Sequence, residues 1–276
     1  MNTIDNSLGK KGLLDPRLLE FATFSRRKHI ALPEDFLVLL NGVSIELRET
    51  VISYIAEKII PSQEFPEIYP TSEVPTRLIT LSEALRWNYS GPTDCWVCCY
   101  ENDKALERLK NHLIDIVPKL KRFKGLITPD FSIGTAESRA VQITNTLFSR
   151  IVGSYAQQQG IPVIASVRYS GMVSRDFCCE GVPENSTIAV GALGCMKDCI
   201  KREIFFEGID FSAKMTSPKN IVVCGSTDRA AFAKYERMGI NMLLFPSPTR
   251  EAKDKWSMDK KASREQISIL RQEEFT

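Results

Sequence analysis

Histidine is scarce: His29 and His112 are the only two among 276 residues. A histidine-led triad or a multi-histidine metal site is therefore not expected. Net charge is small as well, at +2, so the total neither demands nor excludes a nucleic-acid partner, and local clusters matter more. No apolar window approaches the length of a membrane span. The opening stretch MNTIDNSLGKKGLLDPRLL has no long apolar run behind a basic start, so no secretory leader is expected. Internal repeats, low-complexity tracts, P-loops and dinucleotide fingerprints are all missing. A cytoplasmic protein with no cofactor and no membrane partner is the expectation.

What is present is core-forming. Hydrophobic residues make up 43% of the chain, enough for one large domain or a domain with an extension. Eight cysteines look like many, but most sit inside apolar runs (CWVCC, FCC, IVVCG) rather than at loop spacings. Reduced, buried thiols without disulfides are expected.

Three parts can be read along the chain. Residues 1–74 carry helical spacing around Pro16 and Pro33, then a link dense in proline and acid. Residues 75–248 alternate short β-branched runs with amphipathic periods. The runs 95–100, 125–128, 161–167, 187–192, 220–223 and 242–245 are predicted strands. The stretches 104–123, 137–159, 197–214 and 228–238 are predicted helices. Continuous apolar strands alternating with helices predict an α/β fold of mostly parallel strands, as a TIM-like or partial barrel with a helical N-terminal extension. Residues 249–276 mix charges of both signs, which suits a helix or a disordered tail equally.

Parallel folds place their sites at the carboxyl ends of strands. The segment 125–170 supplies two such ends. One is Pro129-Asp130-Phe131-Ser132, where Asp130 can be a base, a nucleophile or a metal ligand; equally, Asp130 or Ser132 can cap the next helix. The other is Arg168-Tyr169-Ser170, with Arg150 and Asn145 on the helix between. Arg168 can bind phosphate or carboxylate through its planar fork, or hold Asp130 in a structural ion pair. Arg150 follows Asn145 by five positions, which puts the two on different helical faces.

Two glycine turns follow later strands. Gly191 to Gly194 and Gly225-Ser226-Thr227-Asp228 let backbone N–H groups approach an anion, although turn geometry and capping by Ser226 or Thr227 explain them as well. Cys178, Cys179, Cys195 and Cys199 are a candidate zinc or iron–sulfur set, weighed against ordinary core cysteine. Cys95 and Cys98 are three apart in a strand and point to opposite faces. The basic run Lys104, Arg108, Lys110, Lys119, Lys121, Arg122 and Lys124 can contact phosphates or form a solvated face.

The order YENDKALERL, LKRFKGLITPDFS, SYAQQQGIPVI, FCCEGVPENSTIAVGALGC and PKNIVVCGS resembles a domain-of-unknown-function family found in bacteria, plasmids and phages. That resemblance covers about residues 75–246 and implies a mobile-element protein with no established activity. The family's acidic-Met-Pro motif after PDFS is replaced here by Gly134-Thr135-Ala136-Glu137-Ser138, which leaves Glu137 as the available carboxylate. A weaker, fold-level similarity links the Pro-Asp strand end, the long helix and the Gly-rich strand end to phage guanine-transglycosylase-like proteins. These have a TIM-type barrel and exchange bases in nucleic acid, and the likeness implies Asp130 acting close to a base.

Two functions remain in view. One is an enzyme on a nucleotide or nucleic-acid substrate, with Asp130 in the chemistry and Ser132, Arg168, Tyr169, Gly194 and Ser226 holding the substrate. It requires Asp130, Arg168 and Tyr169 to converge in an open pocket. The other is a non-catalytic interaction or regulatory protein of a phage, plasmid or defence system, with a protein partner on residues 1–74. It requires Asp130 to be buried and paired.

Overall fold

The computed structural model describes residues 65–134 and 137–247. The expected helices within 1–64 and the charged tail at 249–276 lie outside the described residues. Seven strands lie side by side in chain order: β1 (Leu78–Thr80), β2 (Trp96–Cys98), β3 (Gly125–Ile127), β4 (Val163–Ser166), β5 (Thr187–Gly191), β6 (Asn220–Cys224) and β7 (Asn241–Phe245). Every neighbouring pair is parallel. Between them run α1 (Leu81–Ala84), α2 (Asp103–Ile116), α3 (Arg139–Gln158), α4 (Cys199–Thr216) and α5 (Arg229–Arg237), with 3-10 turns at Val117–Arg122 and Met172–Ser174. The six predicted strands are all present. β1 was not foreseen, because three residues are too few to show a period.

Strand parity sorts the core into layers. Val97, Leu126, Val163 and Ala165 face outward onto α1, α2 and α3, with Leu106, Leu109, Phe148 and Val152. Ile188, Val190, Ile221 and Val223 face outward onto α4 and α5, with Phe205, Ile209, Phe232 and Tyr235. The alternate residues Trp96, Cys98, Ile127, Ile164, Ala189, Val222 and Cys224 form a separate cluster on the inner face. Both faces are therefore apolar, as the continuous strand runs imply. Cys95 and Cys99 join the outer layer while Cys98 joins the inner one.

The inner face is concave. Sγ of Cys98 on β2 lies 3.9 Å from Sγ of Cys224 on β6. In a flat sheet, strands four positions apart would be about 19 Å from each other, so the sheet curls into a half-barrel. Its floor is Trp96, 2% exposed, whose ring lies against the β3 backbone. A Cβ on Gly125 would meet the Trp96 ring at 2.4 Å.

Caps start the helices. Asn102 accepts from the Ala105 N–H for α2, Ser138 from the Val141 N–H for α3, and Asp198 from the Lys201 N–H for α4. The acid- and proline-rich link packs on the barrel from residue 65 onward. The Ile68 N–H donates to the Gly181 carbonyl, and the Ile68 side chain is buried.

Gly125→Ala is expected to destabilise the protein by about 1–3 kcal/mol, the usual cost of overpacking a filled core. Urea unfolding measures it, and an unchanged midpoint would mean that the Trp96 ring does not bear on β3.

Candidate functional site at the mouth of the half-barrel

The carboxyl ends of β2 to β6 meet above the Cys98–Cys224 contact. Past β3, the chain turns through Pro129 and sets Asp130 over the concavity, with its N–H donating to the Cys99 carbonyl. Past β4, Arg168 reaches across, and its Nη1 donates to Asp130 Oδ2 at 2.5 Å. From β2, the Tyr100 hydroxyl shares a 2.7 Å hydrogen bond with Ser166 Oγ. From β5 comes Gly191, where a Cβ would lie 2.7 Å from the Tyr100 ring and 2.8 Å from Asp130 Oδ2. Glycine is thus required there by close approach. Asp130 and Arg168, placed together from the sequence pattern, do meet.

The pair is asymmetric. The Asp130 side chain is 5% exposed and that of Arg168 33%. Oδ1 of Asp130 is buried and finds no hydrogen-bond partner among the described residues. Burial pushes the Asp130 carboxyl above its ordinary range, against the pull of Arg168. From the other side, Asp130 raises Arg168. Asp130 bears the desolvation because it is the deeper partner, so the upward direction for the carboxyl holds. Burial also holds the Tyr100 phenol well above its usual range. Both groups therefore keep protons readily.

Beneath the pair, Thr128 Oγ1 accepts from the Ser149 hydroxyl and the Ser166 N–H. Arg150 is fully enclosed. Its guanidinium donates to the carbonyls of Ser166 at 2.8 Å, Cys178 at 2.9 Å and Glu180 at 2.8 Å. Burial lowers it to about 10, which leaves it charged at neutral pH. A small crevice of about 10 Å³ is lined by residues including Asp130, Asn145, Ser149, Arg150 and Arg168. Asn145 and Arg150 both reach it, contrary to the helical-face argument, because α3 is buried around most of its circumference.

The other sequence candidates are placed elsewhere. The Tyr169 hydroxyl donates to Glu207 at 2.8 Å and accepts from Arg175, and its ring packs on Phe211. It does not join Asp130. Ser132 donates through N and Oγ to Asp103 Oδ1. Gly194 takes a left-handed φ of 74° in a turn. Ser226 Oγ accepts from the Asp228 N–H, and Asp228 caps α5, where Ser226 or Thr227 was expected to. Neither Asp130 nor Ser132 caps α3, since Ser138 does so eight residues beyond Asp130. Glu137 accepts from the Gly134 N–H and closes a turn.

Of the four cysteines considered together, Cys178 and Cys179 touch, Cys195 turns to the Gly191 and Leu193 carbonyls, and Cys199 is exposed. Among the described residues no group of three or more His, Cys, Asp or Glu could hold a metal. Within the basic run, Arg108, Lys110 and Arg122 are bonded to Ala105, Asn145 and Ala84. Tyr100, Thr128 and Ser149 were missed as site residues, and Gly191 was read only as part of a turn that lets backbone approach an anion. Strand-end position and inner parity were the signals available for Tyr100.

Residues 58–245 match the model of a Domain of unknown function (DUF4417). The chain is similar to the Gene 1 protein of Mycobacterium phage L5, 27% identical over 162 residues, which are 59% of this chain and 71% of that protein. It is also similar to the Gene 1 protein of Mycobacterium phage D29, 25% identical over 162 residues, or 59% of this chain and 60% of the relative. No solved structure matches the chain.

A carboxyl raised in the native state favours folding while protonated, and that contribution is lost as pH rises through its native value. Asp130→Asn removes this titration. Its stability relative to the parent is expected to climb as pH rises above the ordinary carboxylate range, measured by denaturant unfolding at each pH. A pH-independent loss of about 3 kcal/mol would instead mark a structural ion pair.

Proposed function

The chain belongs to the DUF4417 family of unknown function, which has phage relatives, and from that premise we propose an enzyme acting on a phosphate-bearing substrate of the nucleotide class. The observation that carries the reading is Asp130: a buried carboxyl at a strand end, with Oδ2 bound by Arg168 and Oδ1 bound by nothing among the described residues. An orphaned buried acceptor asks for a partner, and a carboxyl that keeps its proton at raised pH suits general acid–base work. Arg168 makes no second hydrogen bond among the described residues. The rest of its fork is free to take a phosphate oxygen. The crevice has room for about one water molecule, so a substrate would lie across the mouth above it.

A second reading has its own observation. Asp130 is buried and paired while Tyr169 turns away, which is what a non-catalytic interaction or regulatory protein requires. In that case the ion pair only fastens β3 to β4.

Thermal unfolding with nucleoside mono-, di- and triphosphates separates the two. A bound nucleotide at a hundredfold excess over Kd contributes about 2.7 kcal/mol, a rise of several degrees in Tm. The parent protein is expected to show it and Arg168→Gln to lose it, while Asp130→Asn still binds. No shift with any nucleotide, together with a large loss of stability in Asp130→Asn, would sink the enzyme reading.

A further inference from the structure

The end of the half-barrel opposite the Asp130 mouth carries a residue that the stability of the fold does not explain. Trp87 is 97% exposed, more than any other large hydrophobic among the described residues. It lies in the connection between α1 and β2, just before the chain enters the sheet at the amino end of β2. An indole left in water forgoes the burial that such a side chain supplies in a core.

The turn that carries Trp87 is pinned. The Leu85 N–H donates to the Leu81 carbonyl at 3.0 Å, the Arg86 N–H to the Glu83 carbonyl at 3.1 Å and the Tyr89 N–H to the Arg86 carbonyl at 3.2 Å. The Tyr89 hydroxyl closes the turn on the Pro92 carbonyl at 2.6 Å. The Tyr89 ring meets Phe123 edge-on, with centroids 5.5 Å apart. Trp87 is therefore presented at a fixed place.

Arg122 brings the basic run to that place. Its Nη2 donates to the Ala84 carbonyl at 2.5 Å. Its guanidinium lies over the Tyr89 and Phe123 rings, 5.1 and 5.0 Å from their centroids. Residues three apart in a 3-10 turn share a face, so Lys119 lies on the same side of Val117–Arg122 as Arg122. Arg86 belongs to the Trp87 turn itself, and Lys121 and Lys124 flank Arg122. All five cations are exposed. Arg86, Lys119, Lys121 and Lys124 form no ion pair and no side-chain hydrogen bond among the described residues. Of the carboxylates nearby, Asp94 is taken by Arg77, which leaves Glu83 and Asp115 against the five. The surplus is positive.

We propose that this end is a binding surface for single-stranded nucleic acid, with a base stacked on Trp87 and phosphates held by Arg86, Lys119, Lys121, Arg122 and Lys124. An aromatic face set among cations is what an unpaired strand requires, since any base can stack and every linkage carries a charge. A duplex keeps its base faces covered. A protein partner calls for a broader apolar centre with few lysines, and a lipid surface for an apolar face wide enough to enter it. Trp87 has the exposed polar residues Arg86 and Asn88 on either side instead. The surface is remote from Asp130 and does not rest on the enzyme reading.

The test is titration of the full chain with short oligothymidylate and oligouridylate, read by tryptophan emission and by anisotropy of a labelled strand, at low and physiological salt. Stacking is expected to quench the emission. Trp87→Ala is expected to lose that quench and to bind about tenfold more weakly. Lys119→Gln combined with Lys121→Gln is expected to flatten the fall of log K with log salt by about 0.7 for each lysine removed. These three side chains are exposed, so the variants keep the parent fold. Binding of either strand supports the proposal, and the ratio of the two affinities assigns the sugar. No binding to either strand, unchanged affinity in Trp87→Ala, or tighter binding to a duplex would each overturn it. So would binding lost in Arg168→Gln but kept in Trp87→Ala, which would move the strand to the mouth. Polyglutamate or phosphatidylserine vesicles bound in place of the oligonucleotides would overturn it as well.

Discussion

The buried Arg150 guanidinium is the tie on which the mouth of the half-barrel depends. It sits on α3, the helix that crosses from β3 to β4, and reaches the Ser166 carbonyl at the end of β4. The same group holds the Cys178 and Glu180 carbonyls in the segment that leads to β5. Three pieces of chain distant in sequence are thus fixed by one planar cation with five donors. Removing it would leave three carbonyls without their donor in a region closed to water, each costing about 1–3 kcal/mol. The positions of Ser166 and, two residues on, Arg168 follow from that clamp.

The second constraint is parity. A parallel sheet with apolar residues on both faces needs helices outside and something to fill its inside. Here the inside is filled by Trp96 at the floor and by Cys98, Ile127, Ile164, Ala189, Val222 and Cys224 above it. The polar groups Tyr100, Ser166, Asp130 and Arg168 come only where the strands end. The mouth is polar because the apolar fill stops one layer below it. Small residues permit this, since Gly125 admits the Trp96 ring and Gly191 admits Tyr100 and the Asp130 carboxyl.

Asp130 shows how the two constraints combine into chemistry. It is deep enough for burial to outweigh the attraction of Arg168, and near enough to the mouth for Arg168 to remain a third exposed. One carboxyl oxygen is satisfied and the other is not. A purely structural pair in a wholly buried setting is usually satisfied at every lone pair. The half-satisfied state is the observation on which the proposed function rests.

The sequence by itself determined the architecture and the strand ends where the candidate site lies. Apolar runs separated by helical periods fix a parallel α/β fold, because only strands buried on both faces lack a polar alternation. Pro129 and the run ending at Arg168 mark where two strands stop, and so the end at which Asp130 and Arg168 must lie. β1 escaped notice because three residues carry no period. Tyr100 and Thr128 escaped because residues at strand ends reveal their inner or outer face only when the curl of the sheet is known, and Ser149 because a buried helix does not show which of its faces meets the strand ends. The tertiary structure alone decided the rest. Tyr169 turns to Glu207, Ser132 to Asp103 and Arg150 to three carbonyls, since each polar group takes the partner that the fold brings within reach. Sequence spacing sets which residues share a helix or strand, and partner choice across elements depends on distances that no local pattern encodes.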